Sequence, residues 1–111
     1  MKRIKRWDNG NIIHEGNFKT NKELVEDAVR NGKSLFYADL SGMDLTGIIL
    51  VGEDLTRADL TRADLTRAYL LDANLTGANL TGANLTGADL IKADLTGVIL
   101  TGTVLTDAVL P

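Results

Sequence analysis

The chain contains no cysteine, which excludes a disulfide framework and any thiolate metal site. It has one histidine and two serines, so a serine–histidine triad has almost nothing to draw on. Aromatic residues are scarce, at 5%. No apolar run approaches the roughly 18 residues that a membrane span requires. The basic start Met1-Lys2-Arg3-Ile4-Lys5-Arg6 is not followed by an apolar signal core. With 111 residues there is room for one small domain and none for a separate catalytic one. These absences lead us to expect a soluble, cytoplasmic, non-enzymatic protein without a cofactor.

What is abundant is leucine, which fills 18 positions. From Leu40 to Leu110 it recurs every fifth residue, fifteen times without a break. Alanine stands two residues before the leucine in ten of these units, usually with Asp or Asn between, as in Ala58-Asp59-Leu60 and Ala78-Asn79-Leu80. A period of five fits neither the 3.6 of a helix nor the 2.0 of a plain strand. Within a unit, Ala-x-Leu alternates inward and outward like a very short strand. The following Thr-Gly suits the middle of a tight turn, since Gly at the third turn position is what type II geometry asks for. Each unit therefore reads as one short side and one corner.

This pattern resembles the pentapeptide-repeat family, whose signature is A(D/N)LXX. Eight units match A-D/N-L outright, and the resemblance covers residues 38–111. It implies an all-β solenoid, a right-handed quadrilateral parallel β-helix in which four units make a square coil of twenty residues. The leucine and the residue two before it would point inward, and residues twenty apart would stack. At about 4.8 Å per stacked strand, fifteen units give a stub roughly 18 Å long.

A twenty-residue period is also visible in the residue after each leucine. It is Thr or Ser in eleven units, and the exceptions are Val51, Leu71, Ile91 and Pro111. Ile49, Tyr69 and Val109 precede the leucines of that same face. One side of the prism is thus expected to carry an outward apolar stripe, covered by the chain's own N-terminal region, by a second copy or by a foreign partner.

Upstream, Trp7-Asp8-Asn9-Gly10-Asn11-Ile12 predicts a hairpin within residues 1–19, with Asn-Gly as a two-residue turn and Trp7 opposite Ile12. Ile4 and Ile13 fall on the other face. Thr20-Asn21-Lys22-Glu23 is a capping-box pattern. Leu24, Val25, Ala28 and Val29 form an apolar helical stripe, and Gly32 suits the stop. A capping helix is predicted near residues 21–31 (unit 20–32), followed by the repeat region 33–111. Hairpin and helix would cap the N-terminal end of the solenoid, whose bare edges otherwise invite aggregation. The chain stops just after the last repeat leucine, and Ile99, Val104 and Val109 occupy outward positions held by Asp or Asn elsewhere. Family members pair through their C-terminal coils, so the resemblance implies a homodimer burying the last coil.

Several polar residues invite a chemical role. Glu53 occupies an inward alanine position, and Lys33, twenty residues earlier, is the expected partner in a structural ion pair. Arg57, Arg62 and Arg67 fall on three successive corners and form a basic belt, expected to pair with Asp39, Asp44, Asp59 and Asp64. The outward Asp and Asn ladders lack a convergent loop, so no metal site is assigned. His14 reads as a hairpin surface residue. Residues 1–37 carry eight basic and five acidic groups, net +3, and residues 38–111 carry four and ten, net −6. The Lys2, Arg3, Lys5, Arg6 tip reads as a solvated strand edge rather than a nucleic-acid contact. Two functions follow from the resemblance. One is a protein-interaction module that works through its surfaces. The other is a DNA-mimicking protein that protects gyrase, which suits the acidic prism in sign although the stub is short. No nucleophile, base and oxyanion donor set supports an enzyme.

Overall fold

The computed structural model describes all 111 residues. Regular elements lie in the N-terminal third: strand β1 (Lys2–Lys5), strand β2 (Ile12–Gly16) and helix α1 (Asn21–Arg30). The rest of the chain is held by single-residue parallel bridges, each joining residues twenty apart: Asp39 to Asp59, Ile49 to Tyr69, Asp59 to Asn79, and onward to Asp89 with Val109. The chain thus returns over itself every twenty residues. Each pass donates and accepts backbone hydrogen bonds with the next, as where Leu60 N–H donates to Asn79 O (2.8 Å) and Asn79 N–H to Ala58 O (3.0 Å).

The corners explain the five-residue unit. Ala63 N–H donates to Leu60 O (3.0 Å), closing a four-residue turn through Thr61 and Arg62. The third turn residue has positive φ throughout, +68° at Gly82 and +58° at Arg62, which L side chains adopt only with strain. The Asp or Asn ahead of the leucine braces the turn. In the Asn79 unit its Oδ1 accepts from Thr81 N–H (3.0 Å) and from Thr81 Oγ1 (2.6 Å). This local side-chain turn is why Asx and Thr recur together. The same bonds hold the Asp44 and Asp94 carboxyls below the usual carboxylate range, with the Thr46 and Thr96 hydroxyls as the largest cause.

The repeat leucines, every fifth residue from Leu40 to Leu90, are all buried, as are the alanines two residues before most of them. They form one continuous hydrophobic core with Ile4, Leu24, Val25, Ala28 and Leu35. Small alternates with large around each pass, so the interior fills without aromatic residues.

The N-terminal cap matches expectation in outline and differs in detail. Helix α1 is N-capped by Thr20, whose Oγ1 accepts from Glu23 N–H (3.1 Å). The Glu23 carboxylate reaches back to Lys19 N–H (3.1 Å), one residue beyond the Thr20 N–H of a standard capping box. The helix ends in a Schellman motif: Gly32 N–H donates to Val29 O and Lys33 N–H to Ala28 O, with Gly32 at φ +71°.

The hairpin register differs from expectation. Lys5 pairs with Ile12 and Ile4 with His14, which leaves Ile13 as a bulge. Trp7 is not opposite Ile12; it lies in a four-residue loop closed by Arg6 N–H to Asn11 O and Gly10 N–H to Arg6 O, with Gly10 at φ +75°. The cause is a competing pairing. Beyond β1 the chain joins the first pass of the repeat: Asp39 N–H donates to Lys5 O (2.8 Å), and Trp7 N–H to Tyr37 O (3.0 Å). The antiparallel Arg6–Ala38 bridge covers that edge and places Ile4 against the core.

Candidate interaction surfaces

No group of three or more His, Cys, Asp or Glu side chains converges to hold a metal ion. No helix is long and apolar enough to cross a membrane. The residues singled out from sequence divide into four groups.

The first is the apolar stripe. Ile49, Tyr69, Asp89 and Val109 are successive bridge partners, so they stack in one column. Val51, Leu71 and Ile91 follow the leucines of the same face. Ile49 is 61% exposed and Tyr69 51%. Val51, Ile91 and Val109 are exposed as well, and Leu71 is half-buried. The N-terminal region does not cover this stripe. Helix α1 reaches only its edge, where Glu26, Val29, Arg30 and Ile49 line a shallow groove of about 190 Å³.

The second is the C-terminal coil. Ile99, Val104 and Val109 bridge to Asn79, Asn84 and Asp89 one pass earlier and are all exposed. They replace the Asx residues that would otherwise brace the turns. Behind them, Leu100 and Leu110 are also exposed and, with Leu80 to Leu105 of the same columns, line an apolar recess of about 280 Å³. Thr103 fills an inward slot, where its hydroxyl donates to Leu80 O (2.6 Å).

The third is Glu53 and Lys33, which do not form the expected ion pair. The protein's ion pairs are Arg3–Glu15, Arg6–Asp8, His14–Asp27 and Arg30–Asp27. Lys33 is tied by its backbone into the Schellman cap and is exposed, so it never stacks beneath Glu53. Glu53 is half-buried, and burial alone pushes its carboxyl above the usual value of 4.5. A carboxyl raised in the folded state leaves stability intact below its unfolded pKa and subtracts from it as pH rises through the folded pKa. Glu53→Gln is therefore expected to raise the melting temperature at pH 7. That gain should vanish below about pH 4, where the unfolded carboxyl is protonated too. Thermal melts at the two pH values check it, and an equal gain at both would contradict it.

The fourth is the arginine belt. Arg57, Arg62 and Arg67 are exposed, and none is paired with the expected aspartates. Their stems lie across the next corners instead: a Cβ added at Gly77, Gly82 or Gly87 would meet the Arg Cγ at 3.2, 3.4 and 3.3 Å. One arginine occupies each of three successive corners, so the three do not converge on a common ligand.

Sequence reasoning missed two features. His14 is not a free surface residue. Its Nε2 lies 2.7 Å from Asp27 Oδ2, joining hairpin to helix, and this contact is the largest cause holding the Asp27 carboxyl below its usual range. Trp7 donates its indole N–H to Arg57 O (2.6 Å) and packs near Tyr37, at 5.3 Å between ring centroids. The Arg6 guanidinium lies over the Phe36 and Tyr37 rings at 4.9 and 5.0 Å. This cluster latches the hairpin to the repeat. The spacing gave no signal for it, because its members come together only after the first pass is built.

A continuous core built from passes that bridge one another every twenty residues defines a repeat protein. The family model for pentapeptide repeats matches residues 38–77 and 68–107 in eight copies, and the chain belongs to that family. Solved structures of similar proteins include Rfr23, a pentapeptide repeat protein from the cyanobacterium Cyanothece 51142. It is 39% identical over 66% of this chain and 54% of its own, with a TM-score of 0.44. HetL from Nostoc sp. strain PCC 7120, a pentapeptide repeat protein involved in heterocyst differentiation regulation, is 39% identical over 62% of this chain and 35% of its own, with a TM-score of 0.35. A pentapeptide repeat protein from the Arabidopsis thaliana thylakoid lumen is 37% identical over 63% and 45%, with a TM-score of 0.33. The chain spans about half or less of the length of these solved proteins. The comparison with curated proteins gave no match.

Proposed function

We propose that the repeat region is a right-handed quadrilateral β-helix and that the chain is a non-enzymatic protein-interaction module, pairing with a second copy through its C-terminal coil. The observation that carries this reading is the run Ile99, Val104, Val109. These are three exposed aliphatic side chains at the outward positions where the preceding pass has Asn79, Asn84 and Asp89. Replacing self-bracing Asx residues by exposed aliphatics lowers solubility and gives up hydrogen bonds at the turns, a cost that a contact offsets. The DNA-mimic reading is disfavoured, because the unpaired belt of Arg57, Arg62 and Arg67 interrupts the negative field of the prism.

Light scattering over a wide concentration range tests the pairing. Val104→Asp is expected to weaken self-association at least tenfold, since it places a carboxylate in the centre of the apolar run. Self-association unchanged by this substitution would remove the C-terminal coil from the account.

A further inference from the structure

The apolar stripe lies on a side face of the stack, meets the C-terminal end only at Val109 and Pro111, and its order along the stack carries information. Reading from the helix toward the C-terminus, the column ahead of the leucines holds Ile49, Tyr69, Asp89 and Val109. The column after them holds Val51, Leu71, Ile91 and Pro111. The corner beside these holds Gly52, Asp72 and Lys92. Most exposed outward positions elsewhere are polar, so a polar interruption within this face is as informative as its apolar members.

We infer that this face is a self-complementary surface that takes a second copy of the chain side by side, with the two stacks antiparallel. A twofold axis running along the strand direction, midway between the second and third passes of the stripe, keeps each residue in its own column and reverses the order of the passes. Ile49 then meets Val109, Val51 meets Pro111 and Leu71 meets Ile91, each apolar against apolar. Asp89, the one charged group in the first column, meets Tyr69, whose phenol O–H can donate to its carboxylate. Asp72 meets Lys92. Every pair occurs twice, as an isologous contact demands.

The intramolecular pairing supports this assignment. Asp72 and Lys92 sit on adjacent passes of one corner, yet neither is in an ion pair within the chain. Both hold a left-handed backbone, φ +60° and +59°, at positions where glycine is relaxed. The same operation brings Val109 to the groove formed by Glu26, Val29, Arg30 and Ile49. A parallel arrangement has no such matching, since it keeps each pass level with its own copy. The face is only four passes tall, about 19 Å at 4.8 Å per pass, so the contact is small and concentration-dependent.

This contact shares Val109 with the C-terminal pairing, whereas Leu71, Ile91, Asp72 and Lys92 belong to the side face alone. The two twofolds lie at different heights along the stack, so operating both builds an open chain rather than a closed tetramer. The unsubstituted chain is therefore expected to grow beyond a dimer with concentration. Val104→Asp should leave a discrete dimer held by the side face, and adding Leu71→Asp should reduce it to a monomer. In the Val104→Asp background, Asp72→Lys alone and Lys92→Asp alone are each expected to weaken the dimer at least fivefold. The two together should restore it, because the charges are exchanged without loss of pairing. Both residues are exposed, so the rescue reads register and not folding. A Val104→Asp protein that stays monomeric at millimolar concentration overturns the side-face contact and leaves the C-terminal one standing. Failure of the double exchange to restore a dimer that both single exchanges weaken overturns the antiparallel register. If Val104→Asp changes nothing and Leu71→Asp alone yields a monomer, the side face stands and the C-terminal reading falls.

Discussion

Leu65→Ala is expected to cost about 3 kcal/mol, a large part of the stability of a domain this size. Leu65 is fully buried in the middle of the stack, between Leu45 and Leu85, twenty residues to either side. Both neighbours are held in place by backbone bonds to the following pass, Leu45 N–H to Asp64 O and Leu85 N–H to Val104 O, so the cavity cannot collapse. The loss combines the lost transfer of three carbons from water with the persistent void. Leu110→Ala is the control, because Leu110 is 53% exposed and occupies the same repeat position. Its cost should stay under about 1 kcal/mol. Chemical denaturation of the two variants measures the difference, and equal costs would mean that the leucines do not form the graded core described above.

The second large effect is expected at the cap. Ile4→Ala should cost about 2–4 kcal/mol, although Ile4 lies outside the repeat. Ile4 is fully buried and belongs to the same core as Leu24, Val25 and Leu40. Its strand runs on into the segment that pairs with residues 37–39, so loosening Ile4 also loosens Lys5 O from Asp39 N–H and Trp7 from Arg57. The edge of the first pass is then open to another chain. Hydrogen exchange should show early loss of protection at Trp7 and Asp39, whose N–H groups donate to Tyr37 O and Lys5 O across the junction, with residues 60–90 following at higher denaturant. Uniform loss across the chain would instead make cap and repeat one cooperative unit.

Much of this architecture was legible in the sequence, and for a definite reason. A strict period of five with a second period of twenty leaves few ways to bury the leucines, so Leu40 to Leu90 and the stripe at 49, 51, 69, 71 and 91 could be assigned to opposite sides of the wall. The helix was legible because Thr20, Glu23 and Gly32 act locally. The failures share one cause, competition between distant segments. Asn9-Gly10 suggested a two-residue turn, but pairing with Tyr37 and Ala38 fixed the strand ahead of it and lengthened the loop. Lys33 lay at the right sequence distance from Glu53, yet the helix cap claimed its backbone. The arginines had aspartates nearby and laid their stems across glycine corners instead. His14 met Asp27 across two elements whose docking no local pattern encodes.

Self-association through the exposed aliphatic surfaces is the central proposal for this chain. Sedimentation of the wild-type protein beside the Val104→Asp, Leu71→Asp double variant, from micromolar to millimolar, tests it most directly. The expected result is a wild-type mass that rises above the monomer with concentration and a double variant that remains monomeric throughout. A wild-type protein that is still monomeric at millimolar concentration would contradict it.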